Sequence, residues 1–101
     1  MIVYNITLKI DPEIESEWVQ WQQQEHIPEV MATGLFNEYR FFHLLEQDET
    51  DGITYIVQYF ASSMDDYKHY IENFAPLLRE KALSKWGDRF IAFRTIMQLV
   101  Q

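Results

Sequence analysis

With 101 residues and 48% hydrophobic side chains, the chain suffices for one domain around one core, since a chain of this length buries roughly two-thirds of its unfolded surface. A formal net charge of -8, with only 8 Lys and Arg spread along the sequence, argues against a nucleic-acid backbone or an anionic membrane surface as partner. The lack of cysteine excludes disulfides, thiolate metal sites and thiol nucleophiles, and fits a reducing compartment.

The first residues open directly on a strand pattern with no basic leader, and no window approaches the ~18 apolar residues of a membrane span. The expectation is a cytoplasmic protein of one domain over residues 1–101. Residues 2 to 10 alternate strictly, with Ile2, Tyr4, Ile6, Leu8 and Ile10 on one face and Val3, Asn5, Thr7 and Lys9 on the other, which predicts a first strand. Asp11, Pro12 and Glu13 then combine an N-cap, a proline at the first helical position and an acid in the first turn. The helix they start carries Ile14, Trp18 and Trp21 as its apolar stripe, and the glutamines from Gln20 to Gln24 read as its solvated side. Pro28 interrupts it, and Gly34 caps its end.

A second strand is predicted over Leu35 to Glu46, a polar turn over Gln47 to Gly52 and a third strand over Ile53 to Ala61, the two strands forming a hairpin. Ser63 opens a second helix, marked by Met64, Tyr67, Ile71, Phe74 and Leu78 at helical spacing, with a kink or restart at Pro76 before Ala82 and Trp86. After Gly87 and Asp88 the last strand runs from Phe90 to Val100. The order βαββαβ specifies an α+β, ferredoxin-like fold, a four-stranded antiparallel sheet with two helices on one face. Val3, Phe36, Phe42, Leu44, Ile56 and Phe60 fall out of phase with the main apolar set, so both sheet faces are partly apolar. A second copy of the chain covering the open face, a homodimer, is the expected solution.

The segment Glu25-His26-Ile27-Pro28-Glu29-Val30-Met31-Ala32-Thr33-Gly34-Leu35-Phe36, together with this element order and the apolar second face, resembles the dimeric α+β barrel superfamily. With Gln58-Tyr59-Phe60, Phe74-Ala75-Pro76 and Phe93-Arg94-Thr95, the whole chain is similar to an uncharacterised bacterial family of unknown function within that superfamily. The resemblance implies a dimeric barrel with any ligand between sheet and helices. Its relatives include cofactor-independent monooxygenases, isomerases and haem-degrading monooxygenases, so it fixes no reaction.

His26 is the candidate catalytic acid or base, because imidazole changes charge near neutral pH and here lies at a helix interruption beside Glu25 and Glu29. The alternative is that it hydrogen-bonds the carbonyl freed by Pro28 and seals the kink. Glu25, Trp21, Tyr59, Gln58 and Arg94 are the candidate ligand-binding residues. On a continuous helix Glu25 projects on the sheet side, where Arg40 or Arg94 would pair with it; a bend before Pro28 sends it to solvent instead. Arg94 and Gln58, with Asn5 and Thr7, would make a polar patch on one sheet face. Three histidines without ligand spacing predict no metal site, and no cofactor is expected. Two functions stay open: an enzyme acting on a small organic molecule, and a non-catalytic dimer that binds a metabolite or partner. A haem-handling protein is a third.

Overall fold

The computed structural model describes residues 1–101. Four strands, β1 (Ile2–Ile10), β2 (Glu38–His43), β3 (Ile53–Ala61) and β4 (Phe90–Gln98), form one antiparallel sheet in the order β2-β3-β1-β4. The long strands at the centre are the alternating ones, and their register places Ile6 opposite Val57 on β3 and Arg94 on β4. Directly opposed residues of antiparallel strands share a face. Ile2, Tyr4, Leu8 and Ile10 therefore line up with Ile53, Tyr55, Val57, Tyr59 and Ala61, all buried.

That face is covered by two helical arms, each divided. The first comprises a single 3-10 turn at Pro12–Ile14, α1 (Glu15–Trp21), a five-residue π-helical turn at Gln22–His26 and α2 (Ile27–Met31). Asp11 starts it as the sequence requires, its side chain accepting from the Glu13 amide at 2.9 Å. The second comprises α3 (Met64–Asn73) and α4 (Ala75–Trp86). Ser63 caps α3 by accepting from the Asp66 amide, and Phe74 leaves helical geometry (φ -121, ψ -38) so that Pro76 falls in the first turn of a restarted helix. The proline thus costs no internal hydrogen bond. One cluster of buried side chains, rich in tyrosine and tryptophan, joins both arms to the sheet. No helix is long and apolar enough to cross a membrane.

Three expectations need correction. β2 is shorter than Leu35 to Glu46, because Gly34 (φ 77) turns the chain so that Phe36 enters the helix-side core and stacks on Tyr4 at 6.3 Å. Phe36 therefore does not belong to the open face. At the far end Leu44 donates to the Thr54 carbonyl before Glu46 turns away with φ 59. β4 stops at Gln98 rather than Val100, since Leu99 bonds to Met1 and no residue of β1 lies beyond. Gln22, read as solvated, is buried with 3% of its surface exposed.

The second sheet face lies open. It carries Val3, Phe42, Ile56, Phe60, Ile91 and Phe93, with Phe93 62% and Ile91 56% exposed. Its centre is polar: Gln58 Nε2 donates to Asn5 Oδ1 at 3.2 Å, and the Arg40 guanidinium stands 5.4 Å over the Phe60 ring.

Candidate functional site

The site begins with Pro28, which has no amide proton to give. The hydrogen-bond register upstream widens, so that the Ile27 amide donates five residues back to the Gln22 carbonyl. A π turn inserts one residue into the helical repeat and rotates the residues after it around the axis. Glu25 is thereby exposed and His26 turns inward, while Gln22, still in α-helical register with Trp18, is buried. The His26 ring stacks on Trp21, centroids 4.8 Å apart and planes 23° from parallel. It makes no capping hydrogen bond to α2.

Between the π turn, α4 and the sheet lies a cavity of about 40 Å³. That is room for about three or four water-sized groups at roughly 10–15 Å³ each. Its apolar walls come from α1 (Trp18, Trp21), the sheet (Ile6, Val57) and Trp86 of α4. Three buried polar atoms have no hydrogen-bond partner, namely Gln22 Oε1, Tyr59 OH and Trp86 Nε1, and all three belong to residues lining this cavity. An orphaned buried donor or acceptor costs about 1–3 kcal/mol, so three around one cavity mark a place where something polar is accommodated.

The electrostatics are set by burial. Desolvation lowers His26 from 6.5 to about 4, with Lys81 and Arg94 pushing the same way and Glu29 opposing, so the ring is neutral at physiological pH. Desolvation likewise raises Tyr59 well above the usual phenol range, keeping its hydroxyl protonated as a donor. Arg79 and Arg94, both exposed, line the outer part of the cavity, and Arg79 Nη2 donates to the Tyr4 hydroxyl at 3.0 Å. On the other side, Trp21 and His26 also wall a surface groove of about 420 Å³ that includes Glu25, Leu77 and Lys81. His26 is thus a partition between an inner cavity and an outer groove.

Of the candidate residues, Trp21, His26, Tyr59 and Arg94 come together. Glu25 stays outside in the groove and pairs with neither Arg40 nor Arg94; Arg40 lies 3.9 Å from Glu38 instead. Gln58 is on the open face with Asn5, separated from the cavity by the sheet itself. Arg94 sits opposite Ile6 on the helix side, so it does not share a patch with Gln58, Asn5 and Thr7. His43 stacks on Tyr55 and bonds Glu49 at 2.7 Å, and His69 is exposed. Sequence reasoning missed Gln22, Arg79 and the polar end of Trp86. A signal for Gln22 existed, since it lies four residues from both Trp18 and His26, the spacing of one helix face.

The chain matches the family described as a domain of unknown function (DUF4286) over residues 1–100. It belongs to that family. No curated protein matches this DUF4286 chain in sequence. Its fold is similar to that of a variant of MhuD bound to two manganese protoporphyrin IX per active site (TM-score 0.72, 12% identity, 100% of this chain and 96% of that one). It is similar also to SnoaB, a cofactor-independent oxygenase from Streptomyces nogalater (TM-score 0.62, 13% identity, 99% and 94%). A dimeric ferredoxin-like protein from an uncultured marine organism matches with TM-score 0.61 and 15% identity over 100% and 96%. At such identities the likeness establishes the ferredoxin-like α+β fold that the sequence predicts.

Proposed function

We propose that the protein binds and converts a small organic molecule in the cavity between the π turn, α4 and the sheet, with His26 exchanging a proton with it. The observation that carries this reading is the gathering of Gln22 Oε1, Tyr59 OH and Trp86 Nε1, all unpaired, around a cavity that His26 lines. Buried polar groups are normally satisfied by the fold or by ordered water, and a cavity where several lack a protein partner together has the convergent polar lining of a binding site. A neutral imidazole offers one donor and one acceptor nitrogen, so the first proton step open to His26 is acceptance. The cavity is too small for a whole metabolite. Only the inner end of the molecule enters, and the rest lies toward the mouth.

The homodimer is part of the same reading. The open apolar face supports it, as does the dimeric state of the ferredoxin-like protein from the marine organism. Haem does not fit in this cavity, because its bulk far exceeds about 40 Å³. The acidic balance supports a partner other than nucleic acid, and the lack of cysteine supports a cytoplasmic location. One observation favours the non-catalytic alternative, the close stack of His26 on Trp21, which is also what a purely packed histidine would show.

A screen of small aromatic and aliphatic molecules by thermal shift and by turnover decides between them, using the wild type, Tyr59→Phe and His26→Asn. The expected hit loses affinity in Tyr59→Phe, while His26→Asn binds it within a few-fold but turns it over about 100-fold more slowly or worse. Equal turnover in His26→Asn removes the proton-transfer role. Binding indifferent to Tyr59 removes the site.

A further inference from the structure

The protein has four arginines, and they divide cleanly. Arg40 lies 3.9 Å from Glu38, and Arg89 reaches Asp11 at 2.9 Å and Glu13 at 3.0 Å. Arg79 and Arg94 have no carboxylate partner, and these two line the cavity. The division is unexpected on charge alone, because 16 acidic side chains surround only 8 basic ones and an arginine finds an acid easily. The one polar contact of Arg79 is the uncharged Tyr4 hydroxyl. Arg94 interrupts the apolar side of an edge strand, directly opposite Ile6, where nothing in the sheet calls for a cation.

The two ends of the cavity are chemically distinct. Deep inside are a protonated phenol and an indole N–H without acceptors. At the open side are two guanidiniums, whose planar forks match a carboxylate in geometry and bind it more strongly than neutral donors do. Between them the walls are tryptophan and aliphatic side chains.

From this we infer that the molecule taken by the cavity is a small organic acid, its carboxylate held by Arg79 and Arg94 at the mouth and an uncharged polar end reaching Tyr59 and Trp86. The inference rests on the ligand-binding reading of the cavity and adds the class of ligand. The small inner volume is consistent with it, because the carboxylate stays outside and only the far end of the acid is enclosed. The excess negative charge elsewhere on the protein leaves this mouth as a local positive site, so selection for an anion comes from the two arginines rather than from the overall field.

The test uses matched pairs that differ only in charge: benzoate with benzamide, 4-hydroxybenzoate with 4-hydroxybenzamide, and hexanoate with hexanamide. Each is titrated into the full chain labelled with 15N while the three tryptophan indole N–H signals are followed, the Trp86 signal being assigned with Trp86→Phe. At least one acid should shift the Trp86 indole saturably and bind about tenfold or more tightly than its amide. That preference should fall with salt and collapse in Arg94→Gln, an exposed position without a carboxylate partner, and in Arg79→Lys, which keeps a donor near the Tyr4 hydroxyl but loses the planar fork. If amides bind as well as acids, with the arginine variants indifferent and Tyr59→Phe still weakening both, the acid class is wrong and the cavity reading survives. If no acid and no amide moves the Trp86 signal even at millimolar concentration, both fall.

Discussion

Trp21 and His26 are stacked, centroids 4.8 Å apart, although they are five residues apart in one helical arm. On a regular α-helix such a pair diverges by about 140° around the axis and cannot meet. The π turn at Gln22–His26 closes that angle, and the turn exists because Pro28 withholds an amide proton. One proline thus accounts for the inward histidine and the exposed Glu25. Burial, rather than the stack itself, sets the charge state of His26, since an imidazole held away from water disfavours its cation.

This neutral, half-buried imidazole makes stability depend on pH. His26 has its folded pKa at about 4, below the 6.5 of an ordinary histidine. As pH falls, the unfolded chain takes up the proton first, so the neutral ring carries no penalty above pH 6.5 and a growing one as pH drops towards 4. The loss is about 2 kcal/mol at pH 5. Urea denaturation at pH 7 and pH 5 should show this drop in the wild type and lose about that much of it in His26→Asn. An unchanged pH difference in the variant would place the histidine in water.

Gln22 gives a second prediction. Its amide is buried at 3% exposure with Oε1 unpartnered, so Gln22→Met, which keeps the length and volume, should raise stability by about 1 kcal/mol. The same change should weaken binding at the cavity, because it removes an unpartnered polar atom from a residue that lines it. A lower denaturation midpoint would mean that Gln22 holds the π turn together.

Gly87 tests the backbone between α4 and β4. Its φ of 61 and ψ of -131 lie where side-chain-bearing residues are strained, yet a Cβ there would meet nothing within 4 Å. Gly87→Ala should therefore cost about 1–3 kcal/mol with no steric part, read as a lower melting temperature with the sheet unchanged by circular dichroism. No loss would mean that the loop relaxes freely.

The sheet was legible because its signals are local and repeated. The alternation of Ile2 to Ile10, the Asp11-Pro12 start and the Ser63 cap each specify their element without reference to the rest. The site was legible only in part. Trp21, His26, Tyr59 and Arg94 were singled out by residue type, whereas Gln22 was read with its polar neighbours despite its spacing from Trp18. The sheet-side reading of Glu25 fails because a helical wheel assumes a constant turn that the π turn breaks. Gln58 was misplaced for a different reason. A polar residue in a β-strand announces its face by parity, but which face the helices cover depends on the whole sheet, and Gln58 shares parity with Asn5 rather than Ile6. Arg79 lies on a helix whose outward residues all look solvated, and nothing local distinguishes one that borders a cavity.

The proposed homodimer carries the last prediction. Phe93 and Ile91 of β4, paired with Thr7 and Lys9 of β1, share the open face with Val3, Ile56 and Phe60, and the Asn5–Gln58 bond lies at its centre. An apolar surface with a polar centre is what a self-complementary interface needs, the first for affinity and the second for register. Sedimentation velocity should give twice the mass of one chain for the wild type and one chain mass for Phe93→Glu, because a carboxylate buried without a partner at such an interface is strongly unfavourable. Phe93 is on the face opposite the cavity, so the variant should fold and its Trp86 indole signal should be unchanged. A wild type that sediments as one chain at micromolar concentration would sink the dimer. A monomeric Phe93→Glu that still binds ligand would show that each protomer completes its own site.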